Sequence, residues 1–288
     1  MKLLLTLLSF FAAIFTSYSQ QTGNLNLKKG QKYVVENIIT TVSSSEMMGQ
    51  NIESKADVAS SYLIEVKDFQ GNNINLENMV NSLKMNMNAM GQDYSFDSDK
   101  PEDMNGDMGK NFNSFIKVPQ KVIIDKSGNV VPSSLPDTSE SMRESQSTDP
   151  SSMIMTQMGG DPADLGYGAK MAFHPLPLKA STGTNWQDSS SENGITRVTK
   201  YILQEINGSE GKIKIQGTLV TDTKNEMQGM EILSKSTGKF EGEEIVDIKS
   251  GVVKSSNVIT KAAGTVTVMG QDLPNTSTIT SATTVKVL

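Results

Sequence analysis

Cysteine is absent from the chain, and histidine occurs once, at His174. The first absence excludes disulfides, thiolate metal sites and thiol nucleophiles. The second leaves little beyond carboxylates for acid–base chemistry. His174 is followed by Pro175 in the loop-like stretch FHPLPL, where a structural or solvated role is expected. Basic charge is also short: 26 Lys and Arg face 32 Asp and Glu, a net of −6. That balance argues against nucleic acid and against anionic membrane surfaces as partners. No G-x-S-x-G, H-E-x-x-H or phosphate-binding glycine loop occurs. These absences predict a non-enzymatic protein without cofactor or metal, held together by an apolar core rather than by cross-links.

Long apolar runs are missing except at the start. MKLLLTLLSFFAAIFTSYSQQ has a positive Lys2, an apolar stretch from Leu3 to Phe15 too short to span a bilayer, and small residues at Ser17 and Ser19. This is the pattern of a secretory signal peptide over residues 1–19, cleaved between Ser19 and Gln20. No cysteine follows to carry a lipid anchor. The expected location is periplasmic or secreted, with no transmembrane segment after cleavage, and the roughly 270 residues left suffice to bury a core.

What is abundant is strand pattern, and it is written twice. LKKGQKY (Leu27–Tyr33) is echoed by STGTNW (Ser181–Trp186), and SYLIEVKDFQGNNINL (Ser61–Leu76) by KYILQEINGSEGKIKI (Lys200–Ile215). IIDKSGNVV (Ile123–Val131) is echoed by IVDIKSGVV (Ile245–Val253). Tyr62 to Ile74 and Tyr201 to Ile213 share one spacing, which aligns Leu76 with Ile215. Apolar and polar residues alternate in GKIKIQGTLV and GTVTVMG, the period of half-exposed strands. The predicted fold is mainly β: two related halves of long, curved antiparallel strands, 20–132 and 175–288. Residues 133–174 read as a Ser/Asp/Pro-rich linker carrying Met153, Met155 and Met158. It ends in a short helix near Pro162–Met171 with Asp161 as its N-cap. A second helical stretch is expected around Asn105–Phe115.

The tetrapeptides MGQN (Met48–Asn51), MGQD (Met90–Asp93) and MGQD (Met269–Asp272) read as hairpin tips, with Gly49, Gly91 and Gly270 as structural turn residues. A type II′ turn wants glycine first of its two central residues. On that reading Met87 faces Phe96, Ala89 faces Tyr94, and Val268 faces Leu273. NEMQGMEIL is a degenerate fourth member.

Three clusters invite a chemical reading. Met85 and Met87 share a strand face, and thioethers suit Cu(I), but Met alternating with polar residues is also ordinary strand filling. Asp103, Asn105 and Asp107 stand at alternate positions, yet an EF-hand would need Gly and Glu where Met108 and Ser114 stand, so a solvated acidic loop is expected. Asp125 and Asp247 are repeat-related and precede KSG-type turns, where Asp is a turn residue. They would form a carboxylate pair only if the halves brought them together.

The leader ending SYSQ, LKKGQKY, YSFDSDKPED, KVIIDKSGNVV and HPLPL…TNW together resemble a family of uncharacterised secreted proteins common in Bacteroidetes. That family carries no assigned activity. The architecture is similar, more distantly, to periplasmic lipoprotein carriers of the LolA/LppX type, a likeness that implies an apolar concave face. The function expected is therefore an envelope protein binding a lipid or other apolar ligand in a groove lined by Met85, Met87, Tyr94 and Phe96. The alternatives are a structural adaptor binding another envelope protein and Met-based Cu(I) binding.

Overall fold

A computed structural model describes residues 23–47, 50–89, 92–131, 166–192, 194–227, 230–268 and 270–288. The stretches read as a signal peptide and as a Ser/Asp/Pro-rich linker with three methionines, and the expected Asp161 cap, lie outside these. Among the described residues, eleven strands form one antiparallel sheet. The first half supplies β1 (Lys32–Met47), β2 (Gln50–Gln70), β3 (Asn73–Ala89), β4 (Gln92–Asp97) and β5 (Gln120–Asp125). The second supplies β6 (Asn185–Glu192), β7 (Ile195–Asn207), β8 (Glu210–Met227), β9 (Met230–Asp247), β10 (Val253–Val268) and β11 (Gln271–Val287). Helices α1 (Pro101–Asn105), α2 (Asp107–Phe112) and α3 (Tyr167–Ala172) are short.

The sheet order is β4-β3-β2-β1-β11-β10-β9-β8-β7-β6, with β5 beside β3. The halves therefore share one sheet, joined where the first strand meets the last. Asn37, directly opposite Thr283 across that seam, accepts its hydroxyl at 3.0 Å in the buried interior.

The sheet curls without closing. Four strands, β3, β2, β1 and β11, separate β5 from β10, so a flat sheet would hold them about 24 Å apart. Yet Leu25 donates its backbone N–H to Lys126 O at 2.7 Å, beside β5, while the next residue, Asn26, donates to Ser250 O at 3.1 Å, beside β10. Consecutive residues reach only about 4 Å, so the two turns have been drawn together.

The duplication is visible in hydrogen bonds. Gly30 N–H donates to Val66 O at 2.7 Å and Val66 N–H to Gln31 O at 2.9 Å. In the second half Gly183 N–H donates to Leu203 O at 2.8 Å and Leu203 N–H to Thr184 O at 2.9 Å. Both glycines have left-handed backbones, φ 79° and 89°. Each bracketed residue precedes a bulge in its strand. Val66 pairs with Leu76 and Leu203 with Ile213. The structural equivalent of Leu76 is thus Ile213, not Ile215. The apolar pattern could not separate the two alignments, because a slip of two residues keeps every side chain on its face.

The MGQ hairpins show the same kind of slip. Met47 pairs with Gln50, Ala89 with Gln92, and Val268 with Gln271. Gln50, Gln92 and Gln271, expected as turn residues, are thus paired strand residues, while residues 48, 49, 90, 91 and 269 lie outside the described ones. Gly270 has φ 78°, which a side chain with a Cβ rarely adopts. In consequence Met85 faces Phe96 and Met87 faces Tyr94, one pair nearer the tip than expected, and Val266 faces Leu273.

Helix α3 lies on β1, β2 and β10 inside the curl. Its Gly168 is a close-approach residue: a Cβ there would stand 2.9 Å from Asn78 Oδ1 and 3.0 Å from the Tyr62 ring. The expected helix thus exists but starts at Tyr167 with Gly166 as its cap. The stretch around Asn105–Phe115 divides between α1 and α2.

Candidate functional site

The four residues expected to line a groove share one face and end in different environments. Met85 and Phe96 are each only 2% exposed. Phe112 from α2 closes over Phe96, ring centres 5.0 Å apart, and stacks edge-on to Phe115 at 5.5 Å. Met87 is half-buried against the same core, and Tyr94 stands exposed at its rim. Met85 and Phe96 are core side chains here, and no open groove runs between them.

The acidic stretches also resolve. Asp103 spends a carboxylate oxygen on the backbone N–H of Asp97 at 2.8 Å. Asp125 accepts the backbone N–H groups of Ser127 and Asn129 at 2.8 and 2.9 Å, and Asp247 accepts those of Ser250 and Lys249 at 2.8 and 3.2 Å. The halves do bring these two turns together: Gly128 and Gly251 both pack against Leu25 and Pro175. Each carboxylate, however, is committed to its own turn. Among the described residues, no group of three or more acidic or histidine side chains converges in a way that would hold a metal.

The second half presents the same inward face differently. Its inward positions in β8, β9 and β10 carry Gly217, Gly238, Gly242, Ala262 and Gly264. At Gly217, Gly242 and Gly264 a Cβ would fall 2.1, 2.2 and 2.0 Å from a neighbouring strand's carbonyl oxygen (Val198, Asn257 and Lys235). Only glycine lets the strands bend this closely. Around them Leu219, Val258, Val266, Leu273 and Ile279 remain half-exposed. The result is a shallow trough of small and aliphatic residues.

An aromatic and charged group stands at one end of this trough. Trp186 and Tyr201 stack at 5.2 Å, and the His174 ring meets Tyr201 edge-on at 4.6 Å. His174 Nδ1 lies 2.5 Å from Glu244 Oε1, which is buried on β9. Burial pulls the His174 pKa down, but the charge and hydrogen bond of Glu244, with Asp188 behind them, pull it up further, so it ends above 6.5. Burial, reinforced by the negative charges of Glu244 and Asp188, pushes Tyr201 up to about 12. This histidine is a structural pin, as FHPLPL suggested.

Farther along β7, the Arg197 guanidinium carbon sits 4.6 Å over the Phe240 ring. Phe240 can lie there because Gly217 beneath it has no side chain: a Cβ would meet the ring at 2.4 Å. Glu244 and Arg197 were not singled out from sequence. Arg197 was legible in principle, because it shares strand parity with Tyr201 while its lysine neighbour Lys200 does not.

Residues 71–253, more than half of the chain, match a family described as a family of unknown function, DUF6263. The chain belongs to that family. No curated protein matches. Among solved structures, lipovitellin, described for its lipid–protein interactions, is similar at 13% identity with a TM-score of 0.47. The match covers 91% of this chain and 26% of lipovitellin, so the chain spans about a quarter of that protein. The COG4313 outer membrane channel of Pseudomonas putida F1 is similar at 8% identity and a TM-score of 0.24, covering 91% of this chain and 98% of the channel. OprB of Pseudomonas putida follows at 7% and 0.24, covering 88% and 92%. At these scores the likenesses carry no argument about function. Among the described residues, no helix is long and apolar enough to cross a membrane.

Proposed function

We propose that this is an exported, non-enzymatic binding protein that holds an apolar ligand on the concave face of its second half. The observation that carries this reading is the contrast between equivalent faces. The inward residues of β2 and β3 are sealed up to Met87, whereas on β8 to β11 Leu219, Val258, Val266, Leu273 and Ile279 stay half-exposed above a floor of glycine and alanine. Small floor residues leave room that a folded core would otherwise fill, and apolar walls around such room favour an apolar guest. The ligand residues accordingly move from Met85 and Phe96 to the half-exposed Leu219, Val258 and Ile279.

Saturable binding of Nile red by the purified protein, with blue-shifted emission, is the expected result. Ala262→Phe, which fills the trough, should abolish it, and Met87→Ala should leave it intact. Saturable binding that survives Ala262→Phe and disappears with Met87→Ala would return the site to the first half and overturn this assignment.

A further inference from the structure

We infer that the ligand of this face is an amphiphile with an anionic head group, and that Arg197 is its anchor. The inference rests on the apolar-ligand reading above and adds the chemistry of the head.

The placement of charge carries it. Along the regularly paired stretches of the second half, Lys200, Lys214, Lys235, Lys239, Lys261 and Lys286 all fall on the outward parity of their strands. Arg197 falls on the inward parity, opposite Leu219 on one side and Ser190 on the other. Arg197 is exposed on that face, so its guanidinium keeps its hydration and stays within reach of a ligand. Among the described residues, no carboxylate reaches ion-pair distance of this guanidinium. Asp188, on the same face of β6, stands opposite Thr199 instead. Glu244 is occupied by His174 at 2.5 Å.

Arg197 is nevertheless fixed. Its guanidinium carbon sits 4.6 Å over the Phe240 ring, a contact made possible by Gly217. Stacking is a form of restraint that arginine accepts and lysine does not. A planar edge of N–H donors is complementary to a carboxylate or a phosphate, which it binds through two parallel hydrogen bonds. Leu219 pairs with Arg197 on the neighbouring strand, and the register runs on from it to Gly238 and Ala262. Head-group anchor and chain-binding surface are therefore contiguous.

The test is displacement of Nile red from the full-length protein by three ten-carbon probes: decanoate, decyl phosphate and 1-decanol. The expected result is that at least one anion displaces the dye at about tenfold lower concentration than the alcohol, the range for a hydrogen-bonded charge. The more effective anion identifies the head as carboxylate or phosphate. Arg197→Gln should bring the anions to the level of decanol while leaving decanol unchanged. Arg197→Lys should recover only part of the preference. Salt offers a check that needs no variant: raising it from about 0.05 to about 0.5 M should weaken the anions alone. Equal displacement by all three probes in the wild type, or an anion preference that survives Arg197→Gln, overturns the assignment of Arg197 and leaves the apolar-ligand reading standing. Failure of every probe, decanol included, overturns that reading and this inference with it.

Discussion

Gly30 and Gln31 bracket Val66 in the first half just as Gly183 and Thr184 bracket Leu203 in the second, by the same two backbone hydrogen bonds. From that common frame the halves diverge. The long strands β1, β2 and β3 contain no glycine, and their inward positions hold Tyr33, Tyr62, Ile64, Leu83 and Met85, all fully buried. Strands β8, β9 and β10 contain Gly211, Gly217, Gly238, Gly242 and Gly264. One copy uses its face to hold the molecule together, under α2 and α3. The other leaves its face thinly covered. A duplicated β-module can thus leave one face sealed and the other thinly covered by exchanging large inward residues for glycine, without any change of strand order.

The sharpest way to break this comparison is to truncate one residue on each face. Phe96→Ala should cost about 3–5 kcal/mol, as expected for a sealed aromatic. Leu219→Ala, removing a half-exposed side chain, should cost about 1 kcal/mol by the area it no longer covers. Urea midpoints measure both, and equal losses would mean that the second face is as closed as the first.

Next in size is Gly217→Val. The new side chain would collide with both Val198 O and the Phe240 ring, so a loss of about 3 kcal/mol is expected from overpacking. The same variant should displace Arg197 and weaken any anion preference, which a purely structural glycine would not do.

Gly270→Val should cost about 1–3 kcal/mol, because φ is 78° there and a β-branched residue is strained in that region. Gln271→Ser, at a strand residue paired with Val268, should be nearly neutral in the same melts. A large loss for Gln271→Ser would mean that the turn is not where the register of β10 and β11 places it.

The sequence made strand content, duplication and hairpin positions legible because period-two alternation and glycine punctuation are local signals. It could not fix alignments modulo two residues. Leu76 was matched to Ile215 rather than Ile213, and each MGQ register was set one pair off, since both errors preserve the face of every side chain. The site was less legible for a different reason. Met85 and Phe96 carry the composition of an adaptable surface, but whether they line a groove or a core depends on what lies above them. That is Phe112, from a segment whose helical pattern is weak. The trough was hidden in glycines, which read as turn or bulge signals until their neighbours across the sheet are known. The turns of the repeat-related Asp125 and Asp247 meet the same segment at Leu25 and Asn26, but each carboxylate caps its own turn. Their turn chemistry, which the KSG motifs did signal, accounts for both.

The smallest expected effect concerns the pin between the halves' turns and the trough. His174 donates its backbone N–H to Gly251 O at 2.7 Å, and its ring is packed by Trp186 from β6, Tyr201 from β7 and Glu244 from β9, with Asp188 on β6 adding negative charge. Its pKa is raised in the folded protein above the ordinary value near 6.5. A histidine of this kind stabilises the fold fully below its unfolded pKa, and that contribution disappears as pH rises through the folded one. The urea midpoint should therefore fall as pH rises from about 6.5 through the raised folded value. Tyr33 and Tyr201, both pushed up to about 12, titrate above this window, and Asp247, held below 3.8 by the Ser250 and Lys249 hydrogen bonds that outweigh its burial, titrates beneath it. Glu244→Gln keeps the shape and removes the charge, so it should flatten the slope while lowering the midpoint at pH 6. A midpoint that rises with pH in the wild type would show that burial outweighs Glu244 and that His174 is held neutral. His174 would then be a neutral hydrogen-bond partner of Glu244, held in place by Trp186 and Tyr201 rather than by charge.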